Sequence, residues 1–216
     1  MTFFIRAMLP TLAALLLASG CSVLPERTAK ETFLLPPPDF TASERQESGT
    51  TLRVLTPHTE SPLNGTRILV NPEGHVIQAY SGARWAKATP MLVRDYWLES
   101  LRQIGNFNAV VHETSDASSD LSLSSDLTVF QLSLSANQQN EAVVIIQADV
   151  QLLESESGKV WAARRFRIQQ AASANPVNTL VSDFGSANRA LAEELSNWLL
   201  EISREYSQET NQARPL

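Results

Sequence analysis

The sequence predicts an α+β fold in which an antiparallel or mixed β-sheet ends in a C-terminal meander and carries two main packed helices. Between about residues 121 and 168, apolar residues fall largely on alternate positions, the period of half-buried strands. Near residues 90–104 and 178–205 the pattern is instead amphipathic and helical. With 43% hydrophobic residues in 216, the chain can build a core of its own.

The first elements are predicted to be short strands. We expect a strand from Thr51 to Leu55. Asn71-Pro72-Glu73-Gly74 places proline and glycine where a turn uses them. The flanking segments Arg67–Val70 and His75–Tyr80 are therefore predicted to form a hairpin. Ala109–His112 has the composition of a further strand.

Two helices are predicted. Thr89 followed by Pro90 indicates a helix with a threonine cap and proline at the first helical position. This helix is expected to end at Gly105. The second helix is expected from about Asn178 to Glu205, because one face carries an apolar stripe typical of packing against a sheet. The stripe consists of Phe184, Ala187, Leu191, Leu195, Trp198 and Ile202.

The meander is predicted despite a composition that resembles a linker. Serine and aspartate are frequent from Ser115 to Ser125, but the alternation from Leu121 to Leu134 favours a strand. Parity changes at Val129-Phe130, which predicts a β-bulge there, with Leu121, Leu123, Leu127, Val129 and Phe130 on one face. The next strands are expected over Ala142–Leu153 and Val160–Ile168, with Val160, Ala162, Phe166 and Ile168 sharing a face.

Residues 1–20 have the layout of a bacterial lipoprotein signal peptide. Arg6 precedes an apolar run from Ala7 to Ala18, which is followed by small residues and then Cys21, the only cysteine in the chain. A dozen apolar residues are too few to span a bilayer, which takes roughly 20. We expect Cys21 to carry a diacylglycerol and an N-acyl chain such as palmitate. An ordinary secretory signal is the alternative, and Ser22 favours the periplasmic face of the outer membrane over the inner membrane.

The rest of the chain divides into three parts. Residues 21–48 are polar and contain Pro36-Pro37-Pro38, so they are predicted to form an extended tether, with a short strand at 33–35 left open. Residues 49–206 form the domain, and residues 207–216 are predicted to be a disordered tail. The sequence has a net charge of −6, so it gains no counterion release on nucleic acid, and we expect no such partner.

The string Tyr80-Ser81-Gly82-Ala83-Arg84-Trp85, followed by Pro90 and an amphipathic helix, resembles the ABC-type transport auxiliary lipoproteins, the PqiC-like family. The likeness extends from Phe33, where tyrosine is common in the family, to about Ile202. The other matching segments are Phe33-Leu34-Leu35-Pro36-Pro37, Leu52-Arg53-Val54, Arg67-Ile68-Leu69-Val70, Ser157-Gly158-Lys159-Val160 and Arg164-Arg165-Phe166.

The resemblance implies a non-enzymatic lipoprotein of an MCE-type ABC transport system that moves lipids or other apolar molecules between the two membranes. Its partners would be the outer membrane, through the lipid anchor, and the MCE-domain periplasmic protein; a homo-oligomer is left open. The alternatives are a stand-alone lipid-binding or envelope-assembly lipoprotein and, third, a hydrolase of envelope polymers.

The sequence gives little support for catalysis. His58, His75 and His112 are far apart and lack the close spacing of zinc ligands. The chain has neither a Gly-x-Ser-x-Gly elbow nor a phosphate-binding loop. We therefore expect no metal site and no cofactor beyond the lipid on Cys21. Scattered carboxylates keep the hydrolase alternative open.

Four residues are candidates for a functional surface. Arg84 and Trp85, with Tyr80, form either a partner-facing site or a structural motif in which Trp85 fills the core; the structural interpretation is favoured. Trp161 has the opposite parity to Phe166, which predicts that it lies on the other sheet face, beneath a helix or in an exposed apolar groove.

Overall fold

The computed structural model describes residues 29–40, 48–134 and 141–213. The predicted signal peptide and Cys21 lie outside the described residues. Within these ranges the chain forms the following strands and helices in order: β1 Glu31–Phe33, β2 Thr51–Val54, β3 Leu69–Asn71, β4 Gln78–Ala79, β5 Ala83–Trp85, α1 Thr89–Ile104, β6 Ala109–His112, β7 Leu121–Ser133, β8 Val143–Glu154, β9 Val160–Ala171 and α2 Val177–Ala213.

The long strand β7 is the centre of a mixed sheet. One of its edges pairs antiparallel with β8 along its length, and β9 follows β8 antiparallel. The other edge is shared: β2 pairs parallel with it near Leu121, and β3 pairs parallel with it near Gln131. β6 lies beside β2 and β4 beside β3. The α+β prediction, the hairpin and the meander are confirmed.

Both described helices pack on one face of this sheet and share one core. β8 presents Val144, Ile146, Ala148, Val150 and Leu152 to that core, each at most 1% exposed, as expected from their alternation. The stripe of α2 packs above them, with its Phe184, Leu191 and Leu195 fully buried. β1 and β5 form a separate parallel ribbon at the margin of the sheet.

The start of α1 differs by one residue from the prediction. Ala88 occupies the cap position, so Thr89 is the first helical residue and Pro90 the second. The Thr89 hydroxyl donates to the Gly65 carbonyl (3.1 Å) instead of capping the helix. Gly105 ends the helix as predicted, with φ 76° and its N–H bonded to the Leu101 carbonyl at 3.2 Å.

The bulge in β7 lies one residue before the predicted position. Leu127 pairs with Ala148 and Val129 with Gln147, so Thr128 is the inserted residue. Val129 therefore faces away from the core, contrary to the prediction, whereas Phe130 faces the core and is 1% exposed. The sequence pattern does not show this inserted residue, because Leu127 and Val129 are two positions apart and would share a face in a regular strand.

A second bulge, in β9, was not predicted. Leu152 pairs with Ala162 but Leu153 pairs with Val160, so Trp161 is the inserted residue. Val160 consequently lies out of phase with Phe166 and is 49% exposed, not on the shared face as expected. The Trp161 ring contacts Tyr206 of α2, so it lies on the helix side together with Phe166 and not on the opposite face.

Both ends of the domain are longer than predicted. α2 continues to Ala213, so the segment from Ser207 to Ala213 is helical and not a disordered tail. The Ser207 hydroxyl donates to the Ser48 carbonyl at 2.9 Å, which ties this end of the helix to the start of β2. The short amino-terminal strand is real but covers Glu31–Phe33.

Candidate functional site

The Tyr80–Trp85 motif is positioned by a turn at Gly82 and by the β1–β5 ribbon. Gly82 adopts φ 76°, a conformation that favours glycine, and directs the chain into β5. Tyr80 donates its hydroxyl to the Ala174 carbonyl (3.0 Å) and to the Asn175 side chain (2.8 Å). Tyr80 thus connects the motif to the loop before α2.

Trp85 lies in the core. It is 1% exposed, and its ring meets Phe184 edge-to-face at 5.3 Å and Phe130 at 6.0 Å. Its indole nitrogen has no hydrogen-bond partner among the described residues. This position fits the structural interpretation of the motif, because a partner protein cannot reach the ring.

Arg84 is the charged residue of the motif, and it reaches the surface. It is exposed, and its Nε donates to the Thr32 hydroxyl of β1 at 3.1 Å. The remaining guanidinium nitrogens can therefore serve a partner, as arginine does at many protein interfaces.

Residues 31–40, which we call the strap, cross both helices instead of hanging free as a tether. Pro36 rests on Gly185 of α2, so closely that a β-carbon on this glycine would lie 2.9 Å from the proline Cδ. Farther along, the Phe40 amide donates to the Gln103 side chain at 3.2 Å. The Arg189 guanidinium lies over the Phe40 ring at 4.7 Å. Residues 31–40 of the predicted 21–48 tether are therefore packed on the domain.

A shallow cleft of about 160 Å³ lies between the strap and α1. Leu34, on its rim, is 58% exposed. The volume is below the roughly 300–1,000 Å³ of sites that enclose small molecules, so the cleft suits a single apolar side chain. Its lining consists of Leu34, Leu35, Pro36, Pro37, Pro38, Lys87, Leu92, Asp95 and Tyr96.

The protonation states of Asp95 and Tyr96 determine the charges in the cleft. Burial raises the pKa of Asp95, but hydrogen bonds from Lys87 (2.6 Å) and Arg94 outweigh it and leave the pKa below its usual value. Burial raises the pKa of Tyr96 to about 12, so its hydroxyl stays protonated and donates to the Gly185 carbonyl at 3.3 Å. The cleft therefore has an ionised Lys87–Asp95 pair beside an apolar floor.

A buried ionic cluster lies beside this cleft, and the sequence reasoning missed it. Arg94 is 6% exposed and donates to the Thr56 hydroxyl (2.7 Å), the Glu113 carboxylate (2.6 Å) and Asp95 (3.0 Å). Burial raises the pKa of Glu113, but bonds from Thr56 and Arg94 bring it below the usual value. The signal in the sequence was an arginine directly after Val93 on the buried face of the helix, since a buried arginine needs acidic partners. Because its charges are paired across the two elements, the cluster joins α1 to the sheet edge.

The histidines do not meet. His58 bonds to Asp126 (3.1 Å), His112 bonds to Thr114 (2.9 Å), and His75 is exposed on the β3–β4 turn. Across residues 29–40, 48–134 and 141–213, no group of three or more His, Cys, Asp or Glu side chains is arranged to hold a metal ion.

Trp161 lies at the far end of the domain from Tyr80. Its ring is half-buried, meets Tyr206 edge-to-face at 5.2 Å and has the Lys159 ammonium at 5.2 Å. The structure therefore does not bring Trp161 together with the Tyr80–Trp85 motif.

In the part of the chain that the structure describes, no helix combines the length and apolar character that a membrane crossing requires.

Solved structures share this fold. The crystal structure of protein XCC0632 from Xanthomonas campestris superposes with a TM-score of 0.73 at 22% identity, covering 82% of this chain and 99% of that one. A crystal structure of an uncharacterized protein gives a TM-score of 0.61 at 14% identity, covering 79% and 99%. At these identities the likeness shows the fold alone. No curated protein matches the sequence. The family model for the ABC-type transport auxiliary lipoprotein component matches residues 33–196.

Proposed function

Because the chain belongs to the family of ABC-type transport auxiliary lipoprotein components, we propose that it is a non-enzymatic component of an MCE-type ABC transport system. This system would move lipids or other apolar molecules between the inner and outer membranes. The observation that carries the proposal is the extent of the family match, which runs from Phe33 in the strap to Ser196 in α2. It therefore includes most of the strap, the Tyr80–Trp85 motif and nearly all of the sheet.

The protein would be held at the periplasmic face of the outer membrane by a diacylglycerol and an N-acyl chain on Cys21. The motif before Cys21 supports this, since no other cysteine competes for the lipid. In a Cys21→Ser variant we expect an uncleaved precursor or a chain released from membranes. Diacylglycerol labelling of that variant at the wild-type level would refute the anchor, and recovery of the wild type only in inner-membrane fractions would refute outer-membrane sorting.

The partner would be the periplasmic MCE-domain protein. The strap offers a contact for it, because exposed Leu34 borders an apolar cleft and Arg84 projects from the neighbouring strand. An anchored subunit with such a surface can hold a partner without catalysing a reaction. The Arg94 cluster agrees with such a role, because its charges are paired with one another.

A crosslinked pull-down tests this role. With the other subunits expressed, a tagged full-length chain should recover an MCE-domain protein from envelope extracts. Leu34→Asp should reduce the recovery, whereas Val160→Asp, at a site of similar exposure (49% against 58%), should not. Consistent failure of the wild type would refute the partner, and equal recovery with both variants would refute the contact surface.

The stand-alone lipid-binding alternative gains no support from Trp161, because Tyr206 and Lys159 flank its ring.

A further inference from the structure

The chain joins the domain at the β1–β5 ribbon. Ala29 and Lys30 are exposed, and the Glu31 amide donates to the Gly82 carbonyl at 2.8 Å. Gly82 follows Ile77 by five residues, so the two lie within about 18 Å of each other. The β3–β4 turn is therefore close to the point where the chain leaves towards Cys21.

This turn, Pro72–Ile77, carries an apolar tip. Val76 is 49% exposed and Ile77 40% exposed, two consecutive branched aliphatic residues at the surface. The turn is ordered by its own bonds: the Val76 amide donates to the Glu73 carbonyl at 3.1 Å, and the Asn71 side chain donates to the Gly74 carbonyl at 2.9 Å. The base of the turn is held to the end of β7, because the Leu134 amide donates to the Asn71 carbonyl at 2.9 Å.

We propose that the Pro72–Ile77 turn is a membrane-contacting element that inserts Val76 and Ile77 into the headgroup region of the bilayer holding the Cys21 lipid. This inference rests on the proposed lipid anchor. Ten residue steps separate Cys21 from Glu31, so the anchor holds this end of the domain within about 35 Å of the membrane. Exposed aliphatic side chains close to the attachment point can then be buried at the boundary between the headgroups and the acyl chains, and no further protein is needed to cover them.

The acidic chain offers anionic headgroups little electrostatic attraction, so apolar contact is the remaining means of orienting the domain. Insertion at this turn would direct the β8–β9 turn and the end of α2 away from the membrane. Val160 marks that far end: it begins β9, whose other end, Ala171, leads to the Ala174 carbonyl bound by Tyr80. Twelve residues of strand separate the two ends by about 36–40 Å.

The experiment uses full-length lipidated protein with a single fluorescent reporter. Acylation of Cys21 consumes the only native thiol, so Val76→Cys and Val160→Cys each provide one site for an environment-sensitive dye. The two positions are a matched pair, since both are valines that are 49% exposed. Each labelled protein is incorporated into vesicles of phosphatidylethanolamine and phosphatidylglycerol, with spin-labelled lipid as the quencher.

We expect the dye at position 76 to show a blue-shifted emission on vesicles and to be quenched, and the dye at position 160 to retain its emission in water. If the protein floats with the vesicles but position 76 remains as aqueous as position 160, or if both are quenched equally, the inference is wrong while the anchor stands. If the protein does not float with the vesicles, the anchor fails and the inference fails with it.

Discussion

Adding a single methyl group at Gly185 tests whether the strap is truly part of the domain. Gly185 is buried in the interior of α2 beneath Pro36. In an ordinary helix interior, glycine to alanine stabilises by about 1 kcal/mol because alanine loses less backbone entropy. At this position the new β-carbon would lie 2.9 Å from the Cδ and 3.0 Å from the Cγ of the proline ring. That is about 0.6 Å inside the optimal carbon–carbon contact.

The clash should reverse the sign of the effect. Overpacking typically costs about 1–3 kcal/mol, so Gly185→Ala is expected to lower the free energy of unfolding by about 1 kcal/mol net. Pro36→Ala removes the two ring carbons but keeps the Cβ, which would be 3.4 Å from the new methyl group, an ordinary contact. In that background Gly185→Ala should stabilise by up to about 1 kcal/mol, a coupling of about 2 kcal/mol.

Urea unfolding of the chain from Ser22, followed by tryptophan fluorescence, measures the four free energies of the cycle. Ser186→Ala, on an exposed position of the same helix, is the control for helix propensity and should show no coupling to Pro36. If Gly185→Ala stabilises the protein as strongly with Pro36 present as without it, the strap does not rest on α2 and the contact is refuted.

Three further outcomes follow from the packing. Arg94→Met should lower the free energy of unfolding by about 3 kcal/mol because it leaves Glu113 without its cation; a loss below about 1 kcal/mol in urea titrations would contradict this. The pKa of Glu113 is depressed in the folded state, so its contribution to stability is present above its ordinary pKa of 4.5 and is lost as the pH falls through the lower folded value. Unfolding midpoints measured down to about pH 3 should therefore fall less steeply for Glu113→Gln. Trp85→Ala should cost about 3–5 kcal/mol and Arg84→Ala less than about 0.5 kcal/mol, and similar losses in thermal unfolding would refute the division between core and surface.

Strong local periodicity accounts for the parts of the fold that sequence reasoning predicts correctly. The alternation in β8 and the stripe of α2 each place their apolar residues on the buried face, because a single period governs one uninterrupted element. A β-bulge interrupts this period, because the inserted residue reverses which face the following residues occupy. Thr128 and Trp161 are both of residue types common in regular strands. Only the pairing with β8 reveals that each of them is an inserted residue.

The strap and the end of α2 were misjudged for a different reason. Proline-rich and polar segments have low intrinsic structure, so composition favours a tether and a tail, but distant contacts order both of them. Gly185 offered a signal for the strap, since a glycine inside a helix is costly and indicates a close approach of other atoms. Of the candidate site, the sequence identified Arg84 and Trp85 but not the Arg94 cluster, whose partners are 19 and 38 residues away.

The parallel pairing of β1 with β5 determines how the domain would resist a mechanical force applied at its amino-terminal strand. A pull on Glu31 along the strand axis loads the bond from Glu31 to Gly82 (2.8 Å) and the bond from Ala86 to Phe33 (2.7 Å) at the same time, in shear. Pro36, seated against α2 behind the strand, resists the same displacement. Tension applied at Glu31 would thereby be transmitted to the Trp85 core and would not open the ribbon one bond at a time.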